Sequence, residues 1–203
     1  MSNVALGART LRARQPIQVV MVHGLFSNGA FWIPHLGNFA DFQVTLLTVD
    51  YSAVLRADGS LDAIAKHIDE LIGDKPAHFI GHSFGCWLGM RLKTNFISRS
   101  FICPTFAAQE FRASAFCAEI ARRIPVEPGE IDPLVNFAID YKACHIKDLA
   151  CRADDSFYLP QDDPYFRYVG SLPAGTIYRY QGGHFDISEA ARPIATRLTQ
   201  RAH

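Results

Sequence analysis

Ala77-His78-Phe79-Ile80-Gly81-His82-Ser83-Phe84-Gly85-Cys86-Trp87-Leu88-Gly89-Met90-Arg91-Leu92 runs from an apolar β-type stretch, through a glycine-flanked serine, into a helix-type stretch. The centre of it, Gly81-His82-Ser83-Phe84-Gly85, is G-x-S-x-G at a strand-to-helix junction, the context that a nucleophile elbow requires. The requirement is steric. A serine on so sharp a turn leaves no room for side chains two residues to either side, and glycine there removes the clash and permits unusual backbone angles. The turn lifts the hydroxyl above a helix N-terminus, whose N–H groups favour developing negative charge.

Outward from that junction, apolar patterning alternates between strand and helix. Ile17 to Val22 is a dense β-branched run ending at His23-Gly24, and Val44 to Val49 is another. Asn28 to Phe39 reads as a loop and short helix. Leu61, Ile64, Ala65, Ile68, Leu71 and Ile72 recur at helical spacing, and Gly73 supplies the stop. Phe101 to Thr105, Ile146 to Cys151 and Thr176 to Tyr180 are further strand candidates, and Ser188 to Gln200 is a closing helix with Ser188 as N-cap. This alternation predicts an α/β three-layer sandwich around a mostly parallel sheet. Residues 107–145 interrupt it with two amphipathic stretches, Phe111 to Arg123 and Pro133 to Tyr141. An insertion after a strand end lies where a sheet's ligand crevice opens, so 107–145 is expected to form a short helical lid within one domain spanning residues 1–203.

Composition narrows the partners. The 20 basic residues balance the 20 acidic ones, so no electrostatic feature calls for nucleic acid or an anionic membrane. Residues 1–16 lack the apolar core of a signal peptide, and no apolar run is long enough to span a bilayer, which leads to a cytoplasmic expectation. Five cysteines without C-x-x-C spacing read as reduced thiols rather than a disulfide framework.

A serine hydroxyl needs a base. His184, in Gln181-Gly182-Gly183-His184-Phe185-Asp186, follows the last strand candidate and so shares the carboxyl edge of the sheet with Ser83. Of the other histidines, only His23 and His82 lie at strand ends, and both belong to turn motifs. The imidazole in turn needs a carboxylate to fix its tautomer. Asp154 and Asp155 both follow the Ile146 to Cys151 candidate, whereas Asp162 and Asp163 lie beyond Pro160 and read as the cap of a following helix. The backbone N–H groups of Leu25, just past Val22-His23-Gly24, and of Phe84 are the expected oxyanion donors.

Together, His23-Gly24 after a strand, Gly81-His82-Ser83-Phe84-Gly85, Asp154-Asp155 and Gly183-His184-Phe185 resemble the α/β-hydrolase family in kind and in chain order. The resemblance spans about residue 17 to residue 200. It departs from the family at Cys86, where a small residue often follows the elbow, and in an N-terminal segment too short for the usual leading pair of antiparallel strands, so the expected sheet has six or seven strands. It favours Asp155 as the acid, with Asp154 the alternative. It implies hydrolysis of an ester or thioester by Ser83, His184 and Asp155, without metal or organic cofactor, and its serine argues against chemistry that needs an aspartate nucleophile. Phe26, Phe31, Trp32, Phe84, Trp87, Phe106, Phe111 and Phe116 mostly serve the core, with the remainder favouring an apolar or aromatic acyl group. An acyltransferase, a carbon–carbon bond hydrolase and a non-catalytic ligand receptor are the competing readings.

Overall fold

Five consecutive residues of β2 (Gln18–Val22) are buried, as only a strand covered on both faces would be, and their β-branched character suits that position. The computed structural model describes residues 6–11, 17–56, 60–125 and 128–201. Within these, β1 (Leu6–Leu11), β2, β3 (Gln43–Val49), β4 (Ala77–His82), β5 (Ser98–Ile102), β7 (Ser156–Pro160) and β9 (Thr176–Tyr180) form one seven-stranded sheet in the order β1-β3-β2-β4-β5-β7-β9. β1 runs antiparallel to β3, and every other pairing is parallel. Among the described residues, one antiparallel strand leads the sheet, in line with the expected six or seven strands.

Helices α1 (Tyr51–Arg56), α2 (Leu61–Ile72), α3 (Gly85–Arg91) and α6 (Ser188–Arg201) connect or close the strands, giving the three-layer sandwich. The apolar stripe of α2 is buried at Leu61, Ile64, Ala65, Ile68 and Ile72, and Gly73 ends the helix at φ 60°. Asp186 accepts the Ser188 N–H at the start of α6, so the capping side chain stands two residues before the expected one. Residues 29–39 form a 3₁₀ segment that seats Trp32 and Phe39 in the core.

The 107–145 segment is not wholly helical. It opens with a strand, β6 (Ala108–Phe111), and continues with α4 (Ala113–Arg123) and α5 (Pro128–His145); Val126 and Glu127 lie outside the described residues. β6 pairs antiparallel with β8 (Phe166–Tyr168) in a separate two-stranded sheet.

The strand expected at Ile146 to Cys151 is a correction. Residues 146–148 form a 3₁₀ turn, and the strand that pairs with β5 is β7, later in the sequence. Ser156-Phe157-Tyr158-Leu159-Pro160 is buried at every position, whereas Lys147 and Asp148 carry charges that a two-sided interior strand cannot accept. This displacement decides where the acidic residues fall.

Candidate active site

Ser83 sits at φ 53°, and the elbow closes on itself at van der Waals limits. A Cβ on Gly85 would lie 2.3 Å from the His23 carbonyl oxygen, and one on Gly24 would lie 2.7 Å from the Ser83 Cβ. The turn after β2 and the turn after β4 therefore approach each other only because both are glycine at the contact. Phe26 (φ 58°) and Cys103 (φ 49°) are the other described non-glycine residues at positive φ. All three lie just past the carboxyl ends of neighbouring strands, where backbone strain commonly marks a working site.

His184 reaches this edge from the loop after β9. Its Nε2 lies 2.8 Å from Ser83 Oγ, and its Nδ1 lies 3.0 Å from Asp163 Oδ2. A carboxylate can only accept, so Nδ1 carries the proton and Nε2 is left to accept from the serine hydroxyl. Asp163 is itself held firmly. Its Oδ1 accepts the backbone N–H groups of Tyr165 (2.9 Å) and Phe166 (3.0 Å), and its Oδ2 accepts the Tyr168 hydroxyl (3.0 Å). The side chains of His184 and Asp163 are each 1% exposed, so this hydrogen bond is held out of water. The Phe166 ring stacks on the imidazole at 4.6 Å between centroids, and Phe116 meets it edge-on at 5.8 Å.

Asp155, expected beside His184, stands elsewhere. It precedes β7 instead of following it, which puts it at the amino edge of the sheet, about 16 Å along the strand from the working edge. Its carboxylate is fully buried in a bidentate pair with Arg99, at 2.7 Å from Nε and 2.6 Å from Nη2, and it also accepts the Arg152 N–H. Arg99 also donates to the Gly89 and Ala150 carbonyls. Asp154, the alternative, is 43% exposed and lies 4.0 Å from Arg201. Asp163 caps no helix; it turns the chain into β8. The β7–β9 ladder continues past both strands through the Gln161 N–H on the Tyr180 carbonyl and the Asp162 N–H on the Gly182 carbonyl. That extension walks Asp163 alongside His184. The overlooked signal is the β-prone trio Phe157-Tyr158-Leu159, which places the strand's exit at Pro160.

His82 and His23 brace the site. His82 Nε2 donates to the His184 carbonyl at 2.8 Å, and the ring stacks on Phe31 at 4.4 Å. Burial, foremost, pushes its pKa well below the usual histidine range, so it is a neutral strut. His23 Nε2 accepts the Val49 N–H at 2.9 Å while Nδ1 donates to the Gly24 carbonyl at 2.7 Å, and burial lowers its pKa to about 4. That bond holds the loop carrying Leu25 in place. Cys86, despite its size, is accommodated in the core with Sγ towards the Ile102 carbonyl. Cys103 Sγ, an Asp163 oxygen and a His184 nitrogen gather within 4.8 Å, a set of metal-ligand types. The Asp163–His184 hydrogen bond and a thiol whose pKa burial pushes far up both oppose a cation there.

Beside Ser83 opens a cavity of about 330 Å³ whose wall is mostly apolar. Leu25, Phe84, Phe111, Phe116, Val135 and Ile139 line it, so β6, α4 and α5 all contribute. Trp32, Trp87 and Phe106 belong to the buried core.

Residues 19–198 match the model of the alpha/beta hydrolase family. The chain belongs to that family. No curated protein matches it in sequence. Among solved structures, a monoacylglycerol lipase from Paleococcus ferrophilus is 14% identical with a TM-score of 0.62, covering 97% of this chain and 99% of its own. YbtT, a type II thioesterase of the yersiniabactin pathway, is 15% identical at TM-score 0.62, covering 96% and 97%. The N-acyl homoserine lactonase AidH, solved with N-butanoyl homoserine, is 16% identical at TM-score 0.59, covering 98% and 93%. At such identities the likeness establishes a shared fold. No helix among the described residues is long and apolar enough to cross a membrane.

Proposed function

We propose that this chain is a serine hydrolase that cleaves a carboxylic ester or thioester through an acyl-enzyme on Ser83. One observation carries the reading: Asp163, His184 and Ser83 form a continuous buried hydrogen-bond relay that ends at an apolar cavity. Ser83 Oγ attacks the carbonyl carbon as its proton passes to His184 Nε2. The resulting oxyanion is met by the backbone N–H groups of Leu25 and Phe84, both on the cavity wall. As the carbonyl re-forms, the C–O or C–S bond breaks and Nε2 returns the proton to the leaving alcohol or thiol. Water, deprotonated by the same nitrogen, then releases the acid. Asp163 replaces Asp155 in the orienting role.

β6, α4 and α5 serve as the lid, and the cavity beneath them receives the apolar part of the substrate. Its volume is near the lower end of small-molecule pockets, which favours a short acyl or aryl group over a long lipid chain. The thioesterase, lipase and lactonase neighbours, which act on acyl compounds by their own names, are consistent with this class. The test is a fluorophosphonate label, followed by p-nitrophenyl esters of increasing chain length beside acyl-thioesters. Labelling that is lost in Ser83→Ala, with turnover of one of these series, is the expected result. An unlabelled Ser83 in folded protein would overturn the proposal.

A further inference from the structure

The cavity wall is not wholly apolar. Lys142, on α5, lines it, and its ammonium donates to the carbonyl of Ala108 on β6, which leaves two of its three N–H donors uncommitted. Among the described residues no carboxylate comes within ion-pair distance of it, while the other charged lining residue, Glu110, faces Arg167 at 3.2 Å in an exposed pair. Burial alone pushes the Lys142 pKa below the usual lysine range, with no neighbouring charge offsetting it. A partly desolvated cation costs stability unless something compensates it, and Lys142 lines the space that a substrate enters.

We propose that Lys142 is a specificity-determining residue, and that the substrate of this site bears a carboxylate remote from the bond to be cleaved, joined to it by a short apolar spacer. This rests on the hydrolase reading for the identity of the scissile bond, but not for the binding itself. The spacer lies along Phe111, Val135 and Ile139, and the carboxylate accepts from the Lys142 ammonium.

Binding to Ser83→Ala protein, which cannot turn over, tests this by calorimetry. Adipate monomethyl ester places the carboxylate on the acyl side, and acetylated hydroxycaproate places it on the alcohol side; methyl caproate and hexyl acetate are their uncharged counterparts. One carboxylated probe should bind more tightly than its counterpart by about tenfold or more, the scale of a charge-assisted hydrogen bond. Which probe wins assigns the side. Adding Lys142→Met should erase the preference, and Lys142→Arg should retain most of it. Equal affinities, no binding of either carboxylated probe, or a preference that survives Lys142→Met would overturn the proposal. A preference that stands while Ser83 resists fluorophosphonate would defeat the hydrolase reading and leave this one intact.

Discussion

Replacing Asp163 and Asp155 each by asparagine separates a carboxylate that works on the histidine from one that works on the fold. In Asp163→Asn, the two backbone N–H groups of Tyr165 and Phe166 that now meet Oδ1 select the amide oxygen for that side. The amide NH₂ must then take the Oδ2 position, 3.0 Å from His184 Nδ1. Two donors cannot face each other, so the imidazole moves its proton to Nε2 and can no longer accept from Ser83. The expected loss in kcat is about 10⁴-fold, roughly 5.5 kcal/mol of transition-state stabilisation. Stability should change little, because the backbone contacts survive. Asp155→Asn does the reverse. It leaves the fully buried Arg99 guanidinium without its counter-charge, an error worth about 3–5 kcal/mol in buried pairs. For a chain of this length that lowers Tm by roughly 6–20 °C. Activity per folded molecule, measured well below that Tm, should stay within about threefold. Initial rates on a p-nitrophenyl ester, paired with thermal unfolding of each variant, read both effects. Loss of kcat in folded Asp155→Asn protein, or near-normal kcat in Asp163→Asn, would refute the assignment.

Other consequences follow from the same contacts. His82→Leu removes the 2.8 Å donor to the buried His184 carbonyl and leaves it only the long Cys103 Sγ contact at 3.8 Å, so kcat should fall by about tenfold to a hundredfold, with the fluorophosphonate labelling rate falling in step; an unchanged labelling rate would deny His82 its bracing role. Gly85→Ala would drive a methyl to 2.3 Å from the His23 carbonyl, and the expected result is a poorly folded or markedly less stable protein; a well-folded, active variant would mean that the turn can relax. His23 and His78 are both held by burial at a pKa of about 4, below the 6.5 of a free histidine. The folded state therefore binds fewer protons than the unfolded one, so stability is complete above pH 6.5 and drains away as pH falls towards 4. His23 alone accounts for about 3 kcal/mol of that loss. Tm measured across this interval should drop steadily, and a flat profile would contradict it.

That Ser83 and His184 would meet was readable because each lies in a local device whose physics is written in adjacent residues. A glycine on either side announces the elbow, and a glycine pair after a terminal strand frees the histidine loop. The parallel sheet and the amphipathic α4 and α5 were readable for a similar reason, since burial on one face leaves its period in the chain. The acid was not. A triad carboxylate needs no local motif, only arrival at the correct strand end, so its identity depends on which apolar run becomes the strand. Ile146 to Cys151 and Ser156–Pro160 compete for one place beside β5, and the winner is the run that can be buried on both faces. That choice moved Asp155 to the far edge, onto Arg99, a partner 56 residues away. It also brought Asp163 to a histidine 21 residues ahead. The short-range pattern specified most of the elements and the proposed nucleophile, whereas the pairing of charges over long range, and with it the choice among four similar aspartates, was decided by the register of the assembled sheet.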